Sequence, residues 1–247
     1  MLKVFTTTGK YVMLMKRVFT RPQKRVIFTN QLLTEINNLG VDSLGIVAFI
    51  SMFMGAVVAI QTAYNIDNPL IPMSMVGFTT RQSIILEFSP TVISLILAGK
   101  VGSRIASEIG TMRVTEQIDA LEIMGVNSAN YLIFPKIIAS ILINPVLIIF
   151  SMWLGILGGW IAMTASGLVS TNDFVRGIRV DFEGYTIFYA LTKTVVFAFI
   201  ISSVSGFFGY ETKGGALEVG QASTKAVVFS SVIIILFNLI LTQLLLT

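Results

Sequence analysis

Five apolar stretches, each long enough to cross a lipid bilayer, dominate this chain of 247 residues. Hydrophobic residues make up 54% of the sequence and charged residues only 12%, whereas a soluble domain of this size would be about a quarter charged. One crossing needs about 20 apolar residues, so five spans leave no room for a separate soluble domain. Because an α-helix satisfies its own backbone hydrogen bonds inside hydrocarbon, we predict an all-α integral membrane protein.

Small residues and prolines mark two of the five spans. The first span carries glycine, alanine and serine in a pattern that would let another helix approach closely, and the third contains a stretch of small residues, Gly155, Gly158 and Gly159. The third apolar run contains Pro135 and Pro145 and is longer than a straight span needs, so we expect a tilted or kinked helix there. The predicted spans cover roughly residues 43–63, 83–102, 133–163, 186–208 and 226–246.

The first 42 residues differ from the rest because basic side chains alternate with apolar ones. Pro22 interrupts this pattern, which predicts two amphipathic helical pieces lying in the membrane interface rather than one span. A solvated basic tail is the alternative, and the interleaved apolar residues favour the interfacial helices. We therefore divide the chain into an amphipathic segment, 1–42, and a five-span membrane domain, 43–247.

The distribution of lysine and arginine predicts the orientation of the spans. With the N-terminus in the cytoplasm, the segments 1–42, 103–132 and 209–225 are cytoplasmic and hold seven, two and two basic residues. The loops on the other side hold Arg81, Arg176 and Arg179. This asymmetry agrees with the positive-inside rule, so we expect a cytoplasmic N-terminus and a C-terminus on the opposite side.

Several kinds of chemistry are excluded by composition. The chain has no cysteine and no histidine, which removes disulfides, thiolate or imidazole metal sites, and the common nucleophilic pairs. We therefore expect no catalytic residues and no metal site. The net charge of +4 is too small and too scattered to indicate nucleic-acid binding. The N-terminus also lacks the pattern of a signal peptide.

A charged segment, 104–125, separates the second and third spans and must emerge into water. Gly125 is placed to end a helix here, and we expect a bend at Gly110-Thr111. Two faces recur at helical spacing. The apolar face has Val114, Ile118 and Leu121, and the acidic face has Glu116, Asp119 and Glu122. One face could rest on the membrane domain while the other docks a partner; a solvated surface helix is nearly as consistent with the pattern.

Three sequence blocks carry a specific resemblance. GSRIASEIGTMRVTEQIDALEIMGV, preceded by LAGKVG, closely resembles the signature of the MlaE family, the permease subunits of lipid-transporting ABC systems that work with MCE-domain proteins. GYETKGGALEVGQASTKAVVFSS resembles the cytoplasmic loop and fifth helix of that family, and LTKTVVFAFIIS its fourth helix. The resemblance implies a five-span permease that forms a homodimer in the bacterial inner membrane, with its C-terminus in the periplasm.

The same resemblance makes the charged segment a coupling helix that docks a cytoplasmic ABC ATPase subunit. No G-x-x-x-x-G-K-[ST] motif occurs in the chain, so we expect ATP and Mg²⁺ to be bound by that partner and no cofactor here. A periplasmic MCE-domain protein is expected to receive or deliver phospholipid. The candidate ATPase-coupling residues are Glu108, Arg113, Glu116, Gln117, Asp119 and Glu122.

Glu87 and Lys193 are the charges that need an explanation inside the membrane. They could face one cavity, pair with each other, or bind a phospholipid head group, Lys193 through its phosphate and Glu87 through an amine. Alternatively, Glu87 reaches water near Arg81 and Lys193 snorkels outward. The family resemblance favours the functional interpretation, because members carry a glutamate and a lysine at these places.

Two further candidates for lipid binding are Tyr64 and Asn238. Tyr64 matches an aromatic family position at the end of the first helix and either lines the cavity mouth or belongs to an interfacial aromatic belt. Asn238 stands where family members often carry aspartate, so we expect no charge relay through this position, although the asparagine could still form a hydrogen bond across helices. Leu86 likewise replaces a family arginine, which removes one head-group contact.

Three other classes of function are alternatives to an ATP-driven lipid permease. An ion-gradient-driven transporter is disfavoured by the few intramembrane acids and the lack of a recognisable inverted repeat. A lipid-modifying enzyme would have little chemistry available without histidine or cysteine. A non-transporting membrane scaffold would tolerate changes at Glu116 and Lys193.

Overall fold

The computed structural model of this protein describes residues 2–20, 25–66 and 70–246. Within these ranges every regular element is helical and no strand occurs, which confirms the all-α prediction. In chain order the α-helices are α1 (Leu2–Val18), α2 (Arg25–Ile36), α3 (Asp42–Asn65), α4 (Ser74–Ser83), α5 (Ile93–Leu97), α6 (Ser103–Val114), α7 (Gln117–Ile123), α8 (Ser128–Ser166), α9 (Thr171–Arg179), α10 (Tyr185–Tyr210) and α11 (Ala216–Leu246).

Three π-helical segments join some of these helices into longer ones. They lie at Asn37–Val41, Ile84–Val92 and Ala98–Gly102. The first connects α2 to α3, and the other two connect α4, α5 and α6 into one continuous helix. The π-helical segment Asn37–Val41 makes the helix continuous through residue 42, so α2 leads directly into the first span. The interfacial position of α1 and α2 and the domain boundary at 42 stay predictions, and Pro22 lies outside the described residues.

Among the described residues, five helical runs have the length and apolar character of membrane spans, which confirms the predicted number. Each extends beyond its predicted limits because a helix continues past the bilayer as long as its backbone bonds are satisfied. They are Ile27–Asn65, Ser74–Val114, Ser128–Ser166, Tyr185–Tyr210 and Ala216–Leu246.

The fifth run differs most from its prediction, because α11 begins ten residues before the expected span at 226. Residues that we expected in a cytoplasmic loop therefore form the first turns of α11. Its first turn is stabilised by Glu218, whose carboxylate accepts a hydrogen bond from the backbone N–H of Gly215 at 2.8 Å.

The contacts between helices divide the chain into two compact units. Unit 1 consists of Met1–Asp42, Leu95–Ile143 and Val196–Ile240, and it contains all three segments predicted to be cytoplasmic. Unit 2 consists of Ser43–Ser94, Asn144–Val195 and Leu241–Thr247, and it contains both loops predicted to lie outside. The coupling candidates thus belong to unit 1, whereas Glu87 and Lys193 belong to unit 2.

In unit 1, α1 packs through one face, where Leu14, Met15 and Val18 are buried. Its C-terminal end is held by Asn130 of α8, whose side-chain amide donates to the carbonyls of Val18 at 2.5 Å and of Thr20 at 2.8 Å. These bonds satisfy carbonyls that a helix end leaves unpaired. The N-terminal helix is therefore part of the packed structure of unit 1.

In unit 2, α3 and α8 touch backbone to backbone. A Cβ added at Gly55 would lie 1.8 Å from the carbonyl oxygen of Gly155, and one at Gly158 would lie 2.1 Å from that of Met52. This agrees with the close approach expected at the small residues of the first span, and the partner is the small-residue stretch of the third span. Hydroxyl groups add polar contacts between helices: Ser51 donates to Ser151 at 2.8 Å, and Ser151 donates to Ser89 at 3.0 Å.

The loop after α8 contains a helix that our sequence analysis missed. α9 begins after Ser170, whose side chain accepts from the backbone N–H of Asp173 at 3.1 Å. Its other end is held by Arg81 of α4, which is only 2% exposed and donates to the carbonyls of Ile178 at 2.7 Å and Val180 at 2.8 Å. Arg81, expected in an outer loop, instead fixes α9 against α4.

Candidate functional site

The charged segment between the second and third spans forms two helices with a sharp turn. α6 continues to Val114, and the turn lies at Thr115 and Glu116, where Glu116 adopts a left-handed φ of 60°. The bend expected at Gly110-Thr111 is wrong, because α6 passes through these residues without interruption. Gly110 instead permits close packing, since an added Cβ would lie 3.3 Å from the side chains of Thr212 and Val219.

α7 presents the two faces that the sequence predicts. Ile118 is completely buried, and Val114 and Leu121 are partly buried beside it. Glu116, Gln117 and Asp119 are exposed. The helix ends as expected, because Gly125 adopts a φ of +75° that favours glycine. A short helix outside the apolar core therefore offers an acidic and amide surface to solvent.

Arg113 braces α7 against α6. Its guanidinium donates to the Asp119 carboxylate at 2.6 Å and lies over the ring of Tyr210, 5.8 Å from the ring centroid. Gln117 donates to the hydroxyl of Thr115 at 3.0 Å. These contacts hold α7 at a fixed angle, which a docking surface requires.

Glu122 lies at the junction of four helices of unit 1. Its Oε1 atom accepts hydrogen bonds from Arg17 of α1, Ser128 of α8 and Tyr210 of α10, each at 2.9 Å. The Arg17 guanidinium, followed by the Ser128 and Tyr210 hydroxyls, lowers the pKa of the Glu122 carboxyl below its ordinary value. Of the six predicted coupling residues, Glu122 is thus tied most closely to the rest of the chain.

This cluster predicts a pH-dependent stability. Because folding lowers the pKa of Glu122, its ionised carboxylate stabilises the folded state fully at pH values above the ordinary carboxyl pKa of about 4.3. This stabilisation is lost as the pH falls through the lower pKa that Glu122 has in the folded protein. Glu122→Gln should therefore lower the thermal midpoint of unfolding at neutral pH. In acid, the midpoint of the variant should decrease less with falling pH than that of the wild type, as measured by thermal unfolding in detergent over a range of pH values. The matched change Glu183→Gln, at an exposed glutamate, should leave both unchanged; equal behaviour of the two variants would contradict this role.

Glu108 belongs to a buried ion cluster in unit 1. Lys136 of α8 donates to Glu35 of α2 at 2.5 Å and to Glu108 of α6 at 2.8 Å. The Lys136 side chain is 3% exposed and that of Glu35 is 14% exposed. The cluster connects α6, which precedes α7, to α8, which follows it.

In unit 2, Glu87 and Lys193 form an ion pair. Lys193 is fully buried and donates to the carboxylate of Glu87 at 3.0 Å, to the Tyr189 hydroxyl at 2.9 Å and to the Thr242 hydroxyl at 3.2 Å. Pairing is therefore the arrangement that the structure adopts, and the burial of Lys193 excludes outward snorkelling. The Glu87 side chain remains 46% exposed, so the acid is the accessible member of the pair.

The backbone around Glu87 is irregular. Glu87 lies in the π-helical segment Ile84–Val92, which contains Pro90. Proline lacks the N–H that a regular helix needs, and π-helical segments occur frequently at functional sites. Thr91 donates to the second carboxylate oxygen of Glu87 at 3.0 Å, so both oxygens of this carboxylate are oriented.

The remaining lipid-binding candidates lie elsewhere. Tyr64, near the end of α3, is 82% exposed. Asn238 is partly buried in α11 and belongs to unit 1. Our sequence analysis missed Tyr189 and Thr242 as partners of Lys193, although Tyr189 is four residues before Lys193 and thus on the same helix face. The described residues contain no cluster of acidic side chains that could hold a metal ion.

A profile of the family described as Permease MlaE matches residues 32–244, which is most of the chain. This chain belongs to the MlaE permease family. The assignment agrees with the five helical spans and with the short polar helix between the second and third of them. It confirms the resemblance that the sequence blocks indicated.

Curated relatives from bacteria and a plant extend the comparison. A probable ABC transporter permease protein of Rickettsia bellii is 33% identical over 243 residues, covering 98% of this chain and 93% of the relative. Another, of Synechocystis, is 33% identical over 212 residues, covering 86% and 80%. The chloroplastic protein TRIGALACTOSYLDIACYLGLYCEROL 1 of Arabidopsis thaliana is 32% identical over 227 residues, covering 92% and 65%. This MlaE-family protein is thus a multi-pass permease of the ABC transporter type.

Proposed function

We propose that this MlaE-family permease moves phospholipid between the bacterial inner membrane and a periplasmic MCE-domain protein. A separate cytoplasmic ABC ATPase binds ATP and Mg²⁺ and supplies the work. The observation that carries the proposal is α7, a short helix outside the apolar runs whose exposed surface contains Glu116 and Asp119. Its position between the second and third spans suits a docking element for a soluble motor.

The contacts of α7 support its role in transmitting force. The Arg113–Asp119 pair links α7 to α6, and Glu122 links it to the ends of α8 and α10. A displacement of α7 by a closing ATPase would therefore reach three membrane helices as a rigid-body motion. Glu116, Gln117 and Asp119 are the proposed contact residues.

The Glu87–Lys193 ion pair of unit 2 supports the proposal that the transported molecule carries a polar group along an otherwise apolar pathway. The accessible carboxylate of Glu87 can accept a hydrogen bond from a lipid amine, while the buried Lys193 orients that carboxylate by donating to it. Lys193 could bind a lipid phosphate only by giving up part of its present coordination. The exposed Tyr64 would contribute at the mouth of the pathway.

We further propose that the permease works as a homodimer. One five-helix subunit encloses little space for a two-chain phospholipid, whereas two copies would surround a larger cavity. Two copies would also present two α7 helices, one to each of a pair of ATPase subunits. The proposed orientation places the N-terminus and α7 in the cytoplasm and the C-terminus in the periplasm, as the basic residues indicate.

Charge reversal at the docking surface tests this function. Glu116→Lys should reduce co-purification of the ATPase and ATP-dependent lipid transfer about tenfold, because a contact between charged groups at an interface is replaced by repulsion. The helices should remain folded, because Glu116 is exposed. Glu183→Lys, a reversal in the opposite loop, should leave both quantities unchanged.

Two results would reject the proposal. Normal ATPase binding and lipid transfer by Glu116→Lys would remove α7 from the coupling surface. Lipid transfer that continues without any ATPase, but stops when an ionophore collapses the ion gradient, would favour a gradient-driven transporter. Absence of lipid transfer under every condition would favour a scaffold.

A further inference from the structure

The exposed side of α7 ends in two large apolar residues. Ile123 is 87% exposed and Met124 is 68% exposed. Most other exposed apolar side chains of this size lie on the helical runs that suit lipid. Ile123 and Met124 instead lie between two of those runs, Ser74–Val114 and Ser128–Ser166. Adjacent apolar side chains outside the apolar runs indicate a contact with another molecule.

Helical spacing places this pair on the same face as the acidic residues of α7. An α-helix has about 3.6 residues per turn, so Asp119, Ala120 and Ile123 lie opposite the completely buried Ile118. Backbone hydrogen bonds align the flanking residues with them, because Ala120 donates to the carbonyl of Glu116 at 3.0 Å and Met124 donates to that of Ala120 at 3.1 Å. All residues of this outer face are exposed: Glu116, Asp119, Ala120, Ile123 and Met124.

The backbone after Met124 holds the apolar end of this face in place. Gly125 has a φ of +75°, and its N–H donates to the carbonyl of Glu122 at 3.0 Å. The N–H of Val126 donates to the carbonyl of Leu121 at 3.0 Å. These two bonds form a Schellman motif, and the partly buried Leu121 and Val126 provide its usual apolar pair. A partner would therefore bind Ile123 and Met124 without first having to order them.

The charge of the outer face separates the molecules that could cover it. A lipid surface is disfavoured, because residues 114–127 contain three acidic residues and no basic one and the cytoplasmic leaflet is itself anionic. Helices that lie on membranes are typically basic on their polar side. A second copy of α7 would bring acidic residues against acidic ones. A soluble protein with basic residues around an apolar pocket matches both ends of the face.

We propose that Ile123 and Met124 enter an apolar pocket of the cytoplasmic ABC ATPase and contribute most of the binding energy of the complex. Glu116 faces basic side chains at the rim of that pocket, whereas Asp119 is already paired with Arg113. Interfaces commonly have such an apolar centre, in which methionine is enriched, and a polar rim. This inference rests on the proposed function, because it assigns the chemistry of the ATPase surface that α7 contacts.

Substitution of the apolar pair tests the inference. Ile123→Ser and Met124→Ser should each weaken binding of the ATPase about tenfold, the effect expected when a side chain of this size is lost from a pocket. Ile123→Leu keeps the apolar volume and should bind almost normally. Leu168→Ser removes an equally apolar, exposed side chain from the opposite loop and should have no effect. The measurement is the amount of ATPase, identified by its G-x-x-x-x-G-K-[ST] peptide, that the immobilised permease retains in detergent.

Salt separates the apolar contact from the charged one. The loss caused by Ile123→Ser should be the same at about 0.1 M and about 1 M salt, because contacts between apolar groups are not screened. The loss caused by Glu116→Lys should become much smaller at the higher concentration. All three variants should keep the thermal midpoint of the wild type, since the changed side chains are exposed.

A single fluorescent label tests the lipid alternative. The chain contains no cysteine, so Met124→Cys can be labelled at that position alone with an environment-sensitive dye. In vesicles without the ATPase, the emission should be that of a dye in water, and it should shift to the blue when the ATPase binds. A blue-shifted emission in vesicles alone would show that Met124 lies in lipid and would overturn the inference.

The outcomes distinguish this inference from the proposed function. If Glu116→Lys prevents ATPase binding while Ile123→Ser and Met124→Ser bind normally, the apolar pocket is wrong and the docking role of α7 stands. If none of the three variants changes ATPase binding, the proposed function itself is wrong. Loss of the Ile123→Ser effect at high salt would also contradict an apolar contact.

Discussion

Replacing Lys136 with methionine should lower the free energy of unfolding by about 3–5 kcal/mol, the usual effect of removing one partner from a buried ion pair. Glu35 would then keep a buried carboxylate without Lys136 as its counter-ion, and its Oε2 atom already has no hydrogen-bond partner among the residues that the structure describes. Glu108 is more exposed and should contribute less. Denaturant or thermal unfolding of the purified protein in detergent would measure the loss.

A double-variant cycle would identify the cause of that loss. Lys136→Met combined with Glu35→Gln should recover part of the stability, because the uncompensated charge is gone. Lys225→Met, at an exposed lysine of α11, should change stability little. If Lys136→Met unfolds no more easily than Lys225→Met, the ion cluster contributes nothing to the connection between α6 and α8.

Replacing Arg81 with alanine should lower the free energy of unfolding by about 3 kcal/mol, because two backbone carbonyls lose charge-assisted hydrogen bonds of about 1.5 kcal/mol or more each. The guanidinium also lies over the rings of Phe78 and Phe182, at 5.1 and 5.6 Å. We expect the end of α9 to open, so limited proteolysis should cut the loop after α9 faster than in the wild type. A lowered thermal midpoint would accompany this change.

The chemistry of the side chain supplies the controls for Arg81. Arg81→Lys should recover little, because one ammonium group cannot reproduce the planar fork that reaches several carbonyls. Arg176→Ala removes an exposed arginine of α9 itself and should be near neutral. Normal stability and protease resistance of Arg81→Ala would contradict the anchoring role.

The number of spans and the faces of α7 could be predicted from the sequence because both depend on local periodicity. Apolar run lengths determine the spans, and the spacing of Val114, Ile118 and Leu121 determines which side of α7 is buried. Gly125 could be placed at the end of α7 for the same reason. α9 could also have been found, since Ser170 followed by Asp173 is a helix-capping pattern.

The roles of Arg81, Glu122 and Lys136 could not be predicted in this way. Each bonds residues that are far away in the chain: the carbonyl of Ile178 is 97 residues from Arg81, and Arg17 is 105 residues from Glu122. The sequence shows that these residues are charged, and only the packing of the helices shows which distant groups they bond. The turn at Glu116 was missed because its left-handed conformation is unusual for a glutamate.

The ion pair between Glu87 and Lys193 lies between these cases. The sequence allowed pairing as one of several arrangements, and helical spacing placed Tyr189 beside Lys193. Thr242 comes from a different helix, 49 residues later, and no local pattern indicates it. The roles of Glu87 and Lys193 in lipid binding stay predictions.

The contact between α3 and α8 limits how the permease can change shape. Where backbones meet at Gly55 and Gly155, even one methyl group would collide with main-chain atoms, so neither helix can rotate about its own axis without bringing a bulkier neighbour into the contact. These two helices would therefore move together as one rigid unit. Any opening that admits a transported molecule must form between other helices.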